Sequence, residues 1–127
     1  MIMQIGTVIL RVILGLIFFI HGLVKFQGGI GNTVGFFDSV GIPGFMAYIV
    51  GGIELIGGIA MMIGLGTQII AVLFAIILLG AIFTVKLSAG FLNGGYELDL
   101  MLLAVSIHLV LTGKTPYSVD SKLKAAS

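Results

Sequence analysis

Four apolar runs of membrane-spanning length occupy nearly all of this 127-residue chain, and they limit its fold more than any other feature. From Ile5 to Phe26 only Arg11, His21 and Lys25 interrupt the first run. Its ~22 residues, at ~1.5 Å each, match a hydrocarbon core of ~30 Å. Further runs extend from about Phe45 to Gly64, Thr67 to Ser88 and Tyr96 to Thr112. A soluble domain coats itself with roughly a quarter of charged residues. Here they are 9%, with 59% hydrophobic, so lipid must be the outer solvent. The pattern predicts an all-α polytopic membrane protein, one four-transmembrane-helix bundle spanning residues 1–127.

The breaks between runs set the topology. Gln27 to Gly31 is glycine-rich, and beyond it Asn32 can cap a short segment, 32–42, whose Val34, Phe37 and Val40 recur at helical spacing. It reads as a helix lying in the membrane interface and ending at Gly41 and Pro43. The turn Gly64-Leu65-Gly66 is so short that the second and third helices must be antiparallel neighbours. Asn93-Gly94-Gly95 marks the next turn, and Gly113 and Pro116 end the fourth helix. The first run lacks a basic leader and a small-x-small cleavage pattern, so it reads as a retained helix. Four crossings put both termini on one side, and Lys114, Lys122 and Lys124 in the polar tail, 114–127, place that side in the cytoplasm. Gly15 and Gly22 on the first helix, with Gly51, Gly52, Gly57 and Gly58 on the second, predict close packing of that pair, and the same glycine-rich face could equally serve a homo-oligomer.

Two function classes drop out at once. A net charge of +1 with scattered Lys and Arg offers nothing to nucleic acid. Without cysteine there is no disulfide, thiol relay or thiolate metal site, so any redox chemistry uses another group.

Charges at membrane depth are costly unless paired or hydrated, which makes each a functional candidate. Depth divides them. His21, Lys25, Lys86, Glu97 and Asp99 fall near the external boundary, where the two lysines would neutralise the two carboxylates with His21 alongside. Arg11 and His108 fall near the cytoplasmic boundary, and Glu54 near mid-depth, within reach of Arg11 as its ion-pair partner. Arg11, Gly15, Phe18, Gly22 and Lys25 share one helical face, as do Glu97, Met101, Ala104 and His108, and a third stripe runs through Gly51, Glu54 and Gly58. A bundle could turn all three stripes inward. The plainer readings are lysines, Glu97 and Asp99 anchoring the helices at the interface, and histidines that serve packing alone. The two histidines differ in depth by ~15 Å, too far to share one haem within a subunit. No histidine spacing suits zinc or iron.

These residues also carry a resemblance. The run from Arg11 through Gly15, His21, Gly22, Lys25 and Phe26, then Gly52 to Gly58 around Glu54, Thr84 to Lys86, Gly94 to Glu97 and Ser106 to His108 resemble the DoxX family of bacterial inner-membrane proteins over essentially the whole chain. The likeness is to the branch named as membrane oxidoreductases linked to detoxification of catechols and quinones. It implies a four-helix membrane bundle in the inner membrane. Other relatives are a thiosulfate:quinone oxidoreductase subunit, partners of thiol-redox or stress enzymes, and assembly chaperones. The expected function is therefore quinone- or catechol-linked oxidoreduction. Glu54 and His108 would bind or exchange protons at the quinone oxygens, and Arg11 would keep Glu54 ionised. His21, Lys25, Lys86, Glu97 and Asp99 would complete the binding surface. These side chains carry no electrons, so a bound cofactor, a second substrate or a soluble redox or dioxygenase partner supplies reducing equivalents. The rivals are a non-catalytic scaffold that recruits such a partner and a small-molecule carrier.

Overall fold

The computed structural model describes residues 2–86, 90, 96–112 and 118–126, with side chains for all of these except 85, 86 and 123–126. Every regular element among the described residues is helical. The elements are α1 (Ile2–Gln27), α2 (Gly31–Ser39), α3 (Met46–Ile63), α4 (Thr67–Ala81), α5 (Glu97–Thr112) and α6 (Val119–Ala126). From Ile82 to Lys86 α4 continues as a wider π-helical stretch. Three helices are long and apolar enough to cross a membrane: Ile2–Gln27, Met46–Ile63 and Thr67–Thr84.

Helices α1, α3, α4 and α5 close a ring in which each packs on the next. The tightest seam joins α1 to α3, and its cause is three missing side chains. A Cβ on Gly15 would stand 2.6 Å from the Gly58 carbonyl oxygen, and one on Gly58 would stand 2.6 Å from the Phe19 amide nitrogen. One on Gly22 would stand 2.6 Å from the amide nitrogen of Leu55. Backbone therefore touches backbone along the seam, as the small residues predicted. Gly57 faces α4 instead, where a Cβ would press on the Phe74 ring at 3.1 Å, and Gly52 opens onto empty space. In the bundle centre Phe18 and Phe74 stack at 3.8 Å within a cluster that includes Leu14, Met61, Ala71, Leu78, Leu102 and Leu109.

Local signals explain where the helices stop. Gly64 takes φ +79° just after α3, and the amides of Gly64 and Leu65 donate back to the carbonyls of Met61 and Ala60, closing a Schellman motif. Gly41, at φ +84°, ends α2 in the same way, with Ile42 donating to Phe37 at 2.9 Å. Asn32 does not cap α2. The cap position falls to Ile30, without a side-chain bond, because Gly29 turns at φ +88° and the helix starts before Asn32.

The largest departure from the expected layout is the tail, which contains a folded helix. Ser118 and Ser121 exchange amide-to-hydroxyl bonds of 3.4 and 3.1 Å at its start, a reciprocal cap of the kind that opens helices. Thus α6 folds back against the α3–α4 turn, with the Asp120 amide donating to the Gly64 carbonyl at 3.0 Å.

Candidate functional site

Among the described residues, the ionisable side chains do not converge on one polar interior; three separate places hold Lys25 with Glu54, His108, and Arg11 with Asp120. In the first, Lys25 on α1 forms an ion pair with Glu54 on α3. Glu54 is 5% exposed. The expected Arg11–Glu54 pair does not form, for a reason of register. The α3–α4 turn lies level with Arg11, and Gly22 lies against Glu54 and Leu55. Arg11 and Gly22 are eleven residues apart, so the two charges differ in level by ~16 Å. Lys25, one turn beyond Gly22, has the correct level and a stem long enough to fold back.

The stripe expected to point inward from α5 points outward. Glu97, Met101, Ala104 and His108 are all exposed, while Asp99, Leu102, Ser106 and Leu109 form the buried face. Leu102 and Leu109 belong to the central cluster, and burying them rotates Glu97 and His108 to the outside. Two members of the expected cluster of Lys25 and Lys86 with Glu97 and Asp99 go elsewhere: Lys25 binds Glu54 and Glu97 is on the surface, while Asp99 is 6% exposed in the first turn of α5. The Lys86 side chain lies outside the described residues. His21 is exposed, and its Nδ1 donates to the Ile17 carbonyl at 2.7 Å.

The second site is a groove of about 730 Å³ open along the side of the bundle between α1 and α5. Met3, Gly6, Ile9 and Leu10 give it apolar walls, and Gln4, Thr7, His108 and Thr112 give it polar groups. His108 Nε2 lies 3.3 Å from the Thr7 hydroxyl and 3.4 Å from the Thr112 hydroxyl. Such a groove suits a ligand that is mostly apolar and carries one hydrogen-bonding end. Neither threonine stood out in the sequence, because a threonine in an apolar helix looks like any other small packing residue.

The third site surrounds Arg11, which is 2% exposed. Its Nη2 donates to the Met62 carbonyl at 3.4 Å, and Asp120 is near enough to stabilise its charge. Asp120 also accepts from the amides of Gly66 and Thr67, at 2.7 and 2.9 Å. Gly66 has no side chain to cap α4, so the carboxylate of α6 caps it from outside. Ser118 seals the join: a Cβ on Gly64 would stand 2.2 Å from its Cβ. Asp120 was legible only as the one acid in a basic tail. Among the described residues no group of three or more His, Asp or Glu is placed to hold a metal.

A closed ring of apolar helices, with charges buried in pairs and aliphatic side chains covering the outside, defines an integral membrane protein of the polytopic helical class. Comparison narrows this further. The DoxX family profile matches residues 6–87, and the chain belongs to that family. It is 56% identical over 117 residues, 92% of this chain and 86% of the relative, to the Bacillus subtilis protein named "Putative oxidoreductase CatD". It is 32% identical to "Uncharacterized membrane protein Rv3486" of Mycobacterium tuberculosis, over 93% of this chain and 81% of that one. With "Inner membrane protein YqjF" of Escherichia coli it shares 27% identity over 94% of this chain and 93% of the relative. No solved structure matches it significantly.

Proposed function

We propose that this chain is a redox subunit of the bacterial inner membrane that binds a quinone- or catechol-type aromatic in the α1–α5 groove, with His108 at its polar end. One observation carries the reading: a histidine imidazole stands on the bundle's outer face, flanked by two hydroxyls, in a groove with apolar walls. An amphipathic ring dissolved in lipid enters from the side and needs apolar walls with a single polar contact. Histidine is also the side chain best suited to exchange a proton near neutral pH. The oxidoreductase name of the Bacillus relative agrees with this use.

The geometry changes the roles expected of the other residues. Thr7 and Gly22 are fifteen residues apart on α1, which puts Glu54 ~22 Å from the groove, too far to share a head group with His108. In this reading Lys25 and Glu54 hold α1 to α3, and Arg11 secures the α3–α4 turn. Electrons come from a cofactor or soluble partner, since none of these side chains carries them. The topology completing the picture has α5 as a fourth crossing, α2 at the interface, and the α6 end of the bundle in the cytoplasm.

The scaffold reading also has an observation in its favour, since Lys25 with Glu54 and Asp120 with the start of α4 satisfy one another and ask for no ligand. Complementation separates the two. Cells that depend on this protein for survival under catechol or menadione stress are supplied with wild type or His108→Gln at matched membrane levels. Loss of most protection by His108→Gln is expected. Full protection by that variant would remove the groove from the function and leave the scaffold.

A further inference from the structure

Most of the hydrogen-bonding capacity in the α1–α5 groove is already committed. Thr7 donates its hydroxyl hydrogen to the Met3 carbonyl at 3.1 Å, and Thr112 donates its own to the His108 carbonyl at 2.7 Å. The same two hydroxyls lie against His108 Nε2, at 3.3 and 3.4 Å. Gln4 is the exception. It lines the groove, is exposed in the first turn of α1, and its carboxamide has no hydrogen-bond partner among the described residues. Gln4 and Thr7 are three residues apart, so they stand on one face of α1, about one turn from each other. Thr112 is the last residue of α5, one turn beyond His108. The polar groups therefore gather at the end of the groove nearest the helix termini, and Ile9 and Leu10 continue it toward the bundle centre as apolar wall.

We propose that Gln4 is a specificity-determining residue, whose amide donates to the carbonyl oxygen of a quinone bound in the groove. A quinone oxygen only accepts hydrogen bonds, and the carboxamide holds two N–H groups that nothing else in the groove uses. The carboxamide oxygen accepts as well, so the hydroxyl of a hydroquinone finds a partner at the same residue. One side chain thus serves both oxidation states of the ring, as a site that exchanges oxidised for reduced ligand requires. An ionised carboxylate at this position would have no donor and would serve the hydroxyl form alone.

The inference rests on the groove being the ligand site, and the test keeps the two apart. Full-length wild type, Gln4→Met, Gln4→Glu and His108→Gln are placed in lipid nanodiscs, and thermal unfolding confirms that each is folded. Binding of duroquinone and of duroquinol is measured anaerobically, well above the ordinary carboxylate pKa. Infrared spectra record the carbonyl stretch of bound duroquinone, which falls in frequency when the oxygen accepts a hydrogen bond. Wild type is expected to bind both forms and to lower that stretch. Both Gln4 variants should weaken duroquinone by roughly fivefold to tenfold, the size of one net hydrogen bond, and return the stretch toward its free position. Gln4→Glu should hold duroquinol at least as well as wild type does, whereas Gln4→Met should weaken it too. Folded Gln4→Glu that binds duroquinone as tightly as wild type overturns the role of Gln4. An unshifted stretch in wild type overturns it without any variant. Wild type that binds neither form, or His108→Gln that binds both as wild type does, instead overturns the groove as the ligand site.

Discussion

The α1–α3 seam and the α1–α5 groove use the same helix to opposite ends. At the seam, glycines let two backbones touch, and the ion pair beside them is a lysine and a carboxylate that satisfy each other. At the groove, the helices stand apart, and the polar groups are a glutamine, a histidine and two hydroxyls. The seam has no room between its backbones, whereas the groove has space. In a membrane protein a buried charge is usually taken as the first sign of a working site. Here the buried charges close the structure, and the uncharged polar groups on the outer face remain open for a ligand.

The most severe way to break this comparison is to fill the seam. Gly58→Leu places a Cβ against the backbone of both Phe19 and Gly15 on α1, where neither can yield. A loss above ~4 kcal/mol, enough to abolish a folded monomer, is expected from such a clash. Size-exclusion chromatography in detergent reads it, and a monodisperse, native-like variant would contradict the seam.

Next in size is the ion pair. Glu54→Gln leaves the Lys25 ammonium without its counter-charge, at an expected cost of about 3 kcal/mol, the low end for a broken buried pair because the lysine is partly exposed. Adding Lys25→Gln should recover most of that loss, and adding Arg11→Gln should recover none. Thermal unfolding of the single and double variants forms the cycle. Rescue by Arg11→Gln would restore the pairing first expected from the sequence.

Asp120→Ala removes the acceptor for the Gly66 and Thr67 amides and should cost about 1 kcal/mol, the usual value of a helix cap. Faster hydrogen exchange confined to the first turn of α4 would mark the lost cap, and unchanged exchange there would deny it. The smallest effect belongs to the groove. His108→Gln should alter stability by less than ~0.5 kcal/mol, as surface changes do. A drop of several kcal/mol would make His108 part of the core and erase the contrast.

The sequence conveyed the helices and the glycine seam well because both signals are local or periodic. Apolar runs have a length, and small residues repeat every three or four positions. The pairing of charges was harder to read because it depends on the vertical offset between helices. The glycine and turn positions indicate that α1 and α3 are neighbours but do not indicate that the Gly64 turn lies level with Arg11, and that offset decides between Lys25 and Arg11. The face of α5 was misjudged because Glu97 to His108 and Asp99 to Leu109 both fit a helical period, and the two ionisable residues Glu97 and His108 drew attention from Leu102 and Leu109. The groove was half visible. His108 stood out by its rarity, but the hydroxyls that orient it come from ordinary back-bonded threonines, one of them about a hundred residues away.

Asp120 also sets an order of events during biosynthesis. The amides it holds lie 53 and 54 residues upstream, at the start of α4. The first turn of α4 therefore keeps bare N–H groups until α6 has been translated. Capping of that turn is thus a late event, since it needs α6 to fold onto a segment made long before it. A fusion partner joined close behind α6 would interfere with that capping.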